Sequence, residues 1–213
     1  MLLWIENSLS PQEIRDKCES GDSLFQKAII DYMEDLCNGS FITGDMDTVK
    51  DRVKRWQTKS EYKDTTTLRP ISPPPLCEHM HDSGCPKCID TLKYWTVWEK
   101  EVDDILYRSN RHNCELGFCN NNKQRVCRAR FPRELRPQTI LHDNGRIELK
   151  QEEGMMNTFS YLLTYPIRCN TDVTHLLSGT SIRAVIAYII DYISKSPLKM
   201  YGTLELVKTL FSR

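Results

Sequence analysis

Six of the nine cysteines lie between Cys77 and Cys127, interleaved with His79, His81 and His112. Nothing else in the chain restricts its fold as much, because thiols at this density are either crosslinked or held on metal. The first half reads Cys77-Glu-His79-Met-His81-Asp-Ser-Gly-Cys85-Pro-Lys-Cys88. Its Cys85-x2-Cys88 spacing lets two thiolates reach one Zn²⁺. The second half is His112-Asn-Cys114, then Cys119 and Cys127. The opening residues, Met1 to Glu6, are too short for a signal peptide and carry no basic leader. Clustered Cys and His therefore favour metal over disulfides, in an intracellular setting. Two sites are one arrangement. Cys85 and Cys88 would join two of Cys77, His79 and His81, and His112, Cys114, Cys119 and Cys127 would form the other. A single site shared across the intervening helix is the alternative. Structural Zn²⁺ is the expected cofactor. Cys18, Cys37 and Cys169 stand apart and read as core or neutral positions.

The flanking sequence supplies helices and a hairpin. Ser10-Pro11-Gln12-Glu13 is a capping box with Pro in the first turn. Leu24, Ala28, Ile29, Tyr32, Met33 and Leu36 recur at helical spacing from about Ser23 to Leu36, and Val49, Val53 and Trp56 do so from Asp45. Lys59 to Pro75 is poor in apolar residues and holds four prolines, which predicts a linker or an extended loop. A long helix is expected from Ile89 to Tyr107, with Leu92, Trp95, Trp98, Val102, Ile105 and Leu106 on its buried side. Thr139 to Leu141 and Arg146 to Leu149 flank Asn144-Gly145, a strong hairpin signal. Met1 to Glu6 reads as a strand, Thr158 to Tyr165 as a short segment, and Met200 to Phe211 as a closing helix. The expected segments are 1–66, with the N-terminal strand and helices; 67–136, with the Pro-rich linker and Cys/His-rich insertion; and 137–213, with the hairpin and a tyrosine-bearing helix.

Formal net charge is zero, so any attraction to nucleic acid must be local. One stretch provides it: Lys123, Arg125, Arg128, Arg130, Arg133 and Arg136 face only Glu134 over that span. With Phe131 inside it, this stretch reads either as a solvated loop or as a DNA-backbone groove with a stacking ring. No apolar run reaches the roughly 18 residues of a membrane span. No Gly-rich phosphate loop or other small-molecule signature is present.

The helix from Ser181 to Lys195 places Ile182, Val185, Ile186, Ile189 and Ile193 on one face. Tyr188, Tyr192 and Lys195 share a stripe roughly 120° from that face at about 100° per residue. A tyrosyl oxygen can take a DNA phosphate as a covalent ester, and a lysine one turn away can offset phosphate charge. Two tyrosines at this spacing also occur simply as packing residues.

Tyr188-Ile-Ile-Asp-Tyr192-Ile-Ser-Lys195 resembles the Tyr-x3-Tyr-x2-Lys motif of Helitron rolling-circle replication initiators, particularly those of fungal elements. Further stretches are similar to the same family in the same order. They are Leu2-Leu-Trp-Ile-Glu6 with Ser10 to Glu13, Val102-Asp-Asp-Ile-Leu-Tyr-Arg-Ser-Asn110 with His112 and Cys114, Cys127-Arg-Ala-Arg-Phe-Pro132, Ile167-Arg-Cys-Asn-Thr-Asp-Val173, and Leu176-Leu-Ser-Gly179. The resemblance covers essentially the whole chain.

The resemblance implies a tyrosine-dependent DNA endonuclease fused to a helicase, acting on single-stranded DNA in the nucleus. Tyr188, Tyr192 and Lys195 would be its catalytic groups. In the family, a His-hydrophobic-His pair holds a divalent metal (Mg²⁺ or Mn²⁺) directly before a Met-Leu-Leu-Trp-like run. Here that run is Met1 to Trp4, so the pair would lie upstream, and the helicase downstream. His79-Met80-His81 has the spacing but sits in a Pro- and Cys-rich stretch. The expectation is a fragment inactive by itself. The alternative is a non-catalytic, zinc-stabilised nucleic-acid-binding remnant. The expected fold is α+β: an incomplete antiparallel sheet with packed helices, plus the Cys/His-rich zinc-binding insertion.

Overall fold

The computed structural model describes residues 6–75, 77, 85–114, 119, 127, 129–142, 146–174, 183, 185–187 and 189–190. Three helices open the chain: Pro11–Glu19 (α1), Ser23–Leu36 (α2) and Met46–Gln57 (α3). Each begins where a side-chain oxygen meets the first unpaired N–H groups. The expected capping box is formed at α1. The Glu13 N–H donates to Ser10 Oγ at 3.2 Å, and the Ser10 N–H to Glu13 Oε2 at 2.7 Å. Asp22 accepts from the Leu24 and Phe25 N–H groups, and Asp45 from Thr48.

The buried stripes are shorter than the sequence pattern. Met33, Val49 and Val53 are buried as expected, but Leu24 is 81% exposed and Trp56 40%. The start of α2 meets α1, through Phe25 and Gln26, while Ile29, Met33 and Leu36 at its end lie with Cys37, Ile147 and Leu149 in a small cluster beneath the hairpin. Leu24, one turn earlier, has no such surface to meet.

Helix α4 spans Pro86–Ile105 and widens into a π turn over Leu106–Asn110. Val102, Ile105 and Leu106 are fully buried as expected. Leu92 and Trp95 are not, at 69% and 44% exposed, because the first half of α4 projects past the core. Trp95 instead meets Tyr94 and Trp98 edge-on. The two halves should respond differently to truncation. Ile105→Ala should cost about 2–5 kcal/mol, whereas Leu92→Gln should stay within about 0.5 kcal/mol, both read from urea unfolding.

The main core gathers Phe41, Val49, Val53, Val102, Ile105, Leu106, Met156, Phe159 and Tyr165. It draws on all three expected segments. The Pro-rich stretch is an extended loop laid against this core. A 3₁₀ turn, Thr65–Thr67, buries Thr65, whose hydroxyl donates to Asp104 at 2.6 Å. Further along, the Tyr94 hydroxyl donates to Ile71 O at 2.8 Å.

The hairpin is present as Ile140–Leu141 (β1) paired antiparallel with Ile147–Glu148 (β2), Leu141 opposite Ile147. Its Asn144-Gly145 turn lies outside the described residues. Tyr161–Ile167 (α5) ends at Arg168, whose φ of 55° is left-handed. The Arg168 side chain is buried on Glu101 and Thr65 O, both at 2.7 Å. The architecture is thus helix-rich α+β with one small two-stranded sheet among the described residues. No described helix is long and apolar enough to cross a membrane.

Two neighbouring carboxylates on α4 tie the core together. Asp103, fully buried, accepts from the N–H groups of Ile42 and Thr43 at 2.8 and 3.0 Å, from the Thr43 hydroxyl, and from Arg52 at 3.0 Å. Asp104 accepts from Thr65 and from Arg108, the latter at 2.9 Å.

In the predicted tyrosine helix, the described residues 183, 185–187 and 189–190 are helical. Val185 and Ile189 are half-buried, but Ile186, expected on the buried face, is 46% exposed. The covered edge is narrower than the isoleucine pattern implies. Tyr188, Tyr192 and Lys195 lie outside the described residues, as do the predicted strand at Met1 to Ile5 and the closing helix.

Candidate metal centre

The π turn at the end of α4 sets up the first site. A π turn adds one residue to the helical repeat and so re-aims the chain that leaves it. Here Asn110 closes the turn, with Nδ2 donating to Thr171 O at 2.7 Å. Arg111 then pairs with Met156 in an isolated antiparallel bridge, and the His112 N–H donates to Met155 O at 2.7 Å. With its backbone held at this point, the His112 imidazole faces Cys114, Cys119 and Cys127. One ligand atom from each of the four lies within 4.8 Å of the others. His112 Nε2 is 3.2 Å from Cys127 Sγ. Cys127 is buried and the other three are half-buried.

The second site sits at the start of α4. Cys85 occupies the N-cap position but makes no side-chain cap, and Pro86 follows where an N–H would go unpaired. The Cys85 thiol instead lies 3.5 Å from Cys77 Sγ. Cys88, three residues on and therefore one turn along the same face, completes a three-thiol group within 4.8 Å. His79 and His81, the expected further ligands, lie outside the described residues. The two groups are separate clusters at opposite ends of α4, which favours two sites over one shared site.

None of the nine cysteines is in a disulfide. With Zn–S about 2.3 Å and Zn–N about 2.0 Å, the edges of a tetrahedron are about 3.8 Å for S···S and about 3.5 Å for S···N. The observed 3.5 Å S···S and 3.2 Å S···N separations each lie about 0.3 Å inside those edges, while a disulfide would need about 2.05 Å. A donor set of three thiols and one imidazole thus fits a tetrahedral ion at the His112 site. The Cys77 group presents three donors of the same kind.

The thiols are electrostatically uneven. Backbone N–H donation at Cys88, then the neighbouring Cys77 thiol, brings Cys85 down to about 7. Burial pushes Cys88 up to about 11 and raises Cys114. Burial opposes ionisation of Cys127 as well, but N–H groups of Phe131 and Ala129 and the adjoining thiols outweigh it and lower that thiol. Each cluster therefore holds one thiol set to ionise first, which is how a metal ion enters a thiol site. Burial also raises Cys37, to about 11, and Cys18 is buried, in keeping with core roles.

The basic stretch lies against the His112 site. Phe131 stacks on the His112 ring, with centroids 4.1 Å apart and planes 11° from parallel. The Arg133 guanidinium lies over the same phenyl ring at 4.3 Å. Phe131, read from the sequence as a stacking ring in one of two alternatives, thus already carries His112 and Arg133 on its ring. Arg133 Nε and Nη2 donate to Asn157 Oδ1 at 2.9 and 2.6 Å, and Asn157 Nδ2 donates to Asp172 at 2.9 Å. Burial raises the Asp172 carboxyl, with Arg133 pulling it back. Arg136 is half-buried, with Nε on Leu149 O at 2.8 Å, while Arg130 is exposed at a left-handed φ of 62°. Lys123, Arg125 and Arg128 lie outside the described residues. Arg133, Arg136, Asn157, Thr158 and Thr174 are among the residues lining a polar groove of about 310 Å³.

Sequence reading missed Asn157, Asp172 and the π turn. Asn157 lies 24 residues from Arg133 and 15 from Asp172, and the π turn depends on hydrogen bonding that no local pattern announces. The one available signal was Phe131-Pro132-Arg133 following Cys127 so closely. No protein-family model, no curated protein and no solved structure matches the chain.

Proposed function

We propose that this chain is a zinc-stabilised, single-stranded-DNA-binding region of a Helitron-like rolling-circle initiator. The observation that carries the binding part is the juxtaposition of the four-donor His112 cluster with Arg130, Arg133 and the polar groove. Structural Zn²⁺ is the metal that suits sulfur-rich tetrahedral donor sets. The arginines supply the phosphate attraction that a chain of zero net charge lacks in bulk. Polar donors and acceptors in the groove, Asn157, Thr158 and Thr174, suit sugar and base edges of an unpaired strand.

The strand-transfer part rests on the sequence resemblance. In that reading, a Tyr188 or Tyr192 oxygen attacks a backbone phosphorus. A tyrosyl 5′-phosphate ester forms, and the phenolic proton passes to the departing 3′ oxygen. Mg²⁺ or Mn²⁺ on the parent family's His-x-His pair would supply Lewis-acid assistance. The 213 residues hold one His-x-His, His79-Met80-His81, placed among cysteines and prolines.

The test has two parts. Zinc-loaded chain should bind fluorescein-labelled oligothymidylate with log affinity falling by roughly 0.7 per phosphate contacted for each tenfold rise in salt. Salt-insensitive binding, or none, would remove the DNA reading. Incubated with Mn²⁺ and the same oligonucleotide, the 213-residue chain should yield no covalent protein–DNA adduct. An adduct lost in Tyr188→Phe or Tyr192→Phe would show that these residues suffice for nicking.

A further inference from the structure

We propose that metal at the His112 centre, acting through the Phe131 ring, holds Arg133 in place as one wall of the polar groove, so that the groove's hold on a single strand depends on metal. The inference rests on the zinc and DNA reading above and specifies how that site would be controlled.

The physical path is continuous. His112 is a metal donor whose other neighbour is the Phe131 ring, 4.1 Å away and nearly parallel. Phe131 in turn carries the Arg133 guanidinium at 4.3 Å. From Arg133 the path runs through Asn157 to Asp172, both on the groove. The backbone follows the same route: the Arg130 N–H donates to Cys127 O at 2.9 Å, and the Arg133 N–H to Gly154 O at 2.7 Å. Arg130 lies three residues beyond the last thiol of the cluster, Cys127, and Arg133 three beyond that.

Gly154 fits this close approach. A Cβ there would come within 3.2 Å of Arg133 O and of the Pro132 ring. The Arg133 segment is thus seated against the 154–157 backbone on one side and against a metal ligand's ring on the other. An imidazole on a metal cannot rotate about its side-chain bonds, whereas a free one can. Without metal, only the hydrogen bond between the Cys127 thiol and His112 Nε2, at 3.2 Å, ties the two residues, and the Phe131–Arg133 stack loses the firmer support of a coordinated ring. Arg133 is a positioning and contact residue here, and Phe131 a positioning residue only.

The experiment uses the full chain, loaded with zinc or cobalt and compared with chelator-stripped protein. Two quantities are read: hydrogen exchange of the Arg133 amide relative to the Ile105 amide in the core, and affinity for labelled oligothymidylate. Loaded protein should protect both amides. Stripped protein should lose protection at Arg133 while keeping it at Ile105, and should bind the strand about tenfold more weakly. Phe131→Leu should keep metal and the cobalt spectrum yet behave as stripped protein in both readouts. Phe131→Tyr, which keeps the ring, should behave as wild type.

Failure of the chain to take up metal would overturn this inference and the zinc reading together. Metal uptake with Arg133 protection and affinity unchanged, or unchanged in Phe131→Leu, would overturn this inference alone. Metal-dependent protection without strand binding in any state would also overturn it, since the groove would then serve another ligand, and would remove the DNA reading.

Discussion

Stripping metal from the purified chain is expected to melt the region from Cys77 to Arg133 outside the second half of α4, while leaving the main core folded. Structural zinc contributes on the order of 10 kcal/mol to the segment it ties at neutral pH. Away from the clusters these segments have few ties: Phe131 stacks on His112, Arg133 adds bonds to Asn157 and Gly154 O, and the His112 N–H donates to Met155 O. The core, in contrast, is held by Phe159, Ile105, Leu106 and Met156, all fully buried. Near-ultraviolet circular dichroism and hydrogen exchange should show a local transition on adding chelator, reversed by zinc. The global transition in urea should persist. A single transition that abolishes all structure on chelation would mean that the core depends on metal as well.

Removing the Asp103 carboxylate is expected to be nearly as damaging, for a different reason. Asp103→Ala would strip partners from the Ile42 and Thr43 N–H groups, from the Thr43 hydroxyl and from the Arg52 guanidinium at once. Arg52 is a quarter exposed and keeps its bond to the Thr43 hydroxyl, so the loss falls mainly on the loop donors, about 1–3 kcal/mol for each buried group left unpaired. Arg52→Met should cost less than Asp103→Ala, because the Ile42 and Thr43 donors would still satisfy much of the carboxylate. Urea unfolding of the two variants and their combination gives the coupling directly. Equal losses in the two single variants would show that the loop hydrogen bonds contribute nothing beyond the ion pair.

Local chemistry made much of the fold legible. The Ser10 cap, α2 and the hairpin segments follow from residues adjacent in sequence, and so does the extended path of the Pro-rich stretch. The errors share one cause. Leu24, Leu92, Trp95 and Ile186 fit helical periodicity, yet periodicity says only which face would be buried if something covered it. What covers a face is set by tertiary contacts between distant segments. The metal clusters were legible for the same reason the caps were: ligand spacing is short-range. The Asp103–Arg52 tie and the Arg133–Asn157–Asp172 chain were not, since their partners are 51 and 24 residues away at the first step. Phe131 was noticed but its contacts with His112 and Arg133 were not, because sequence shows that a ring is present and not what already lies on it.

Native mass spectrometry of the full chain purified without chelator tests the two proposed zinc centres most directly. The prediction is two zinc ions per chain. Cys127→Ser should lose or weaken one ion and Cys88→Ser the other, each variant keeping the ion of the intact cluster. A metal-free chain, or a single ion lost from both variants alike, would contradict it.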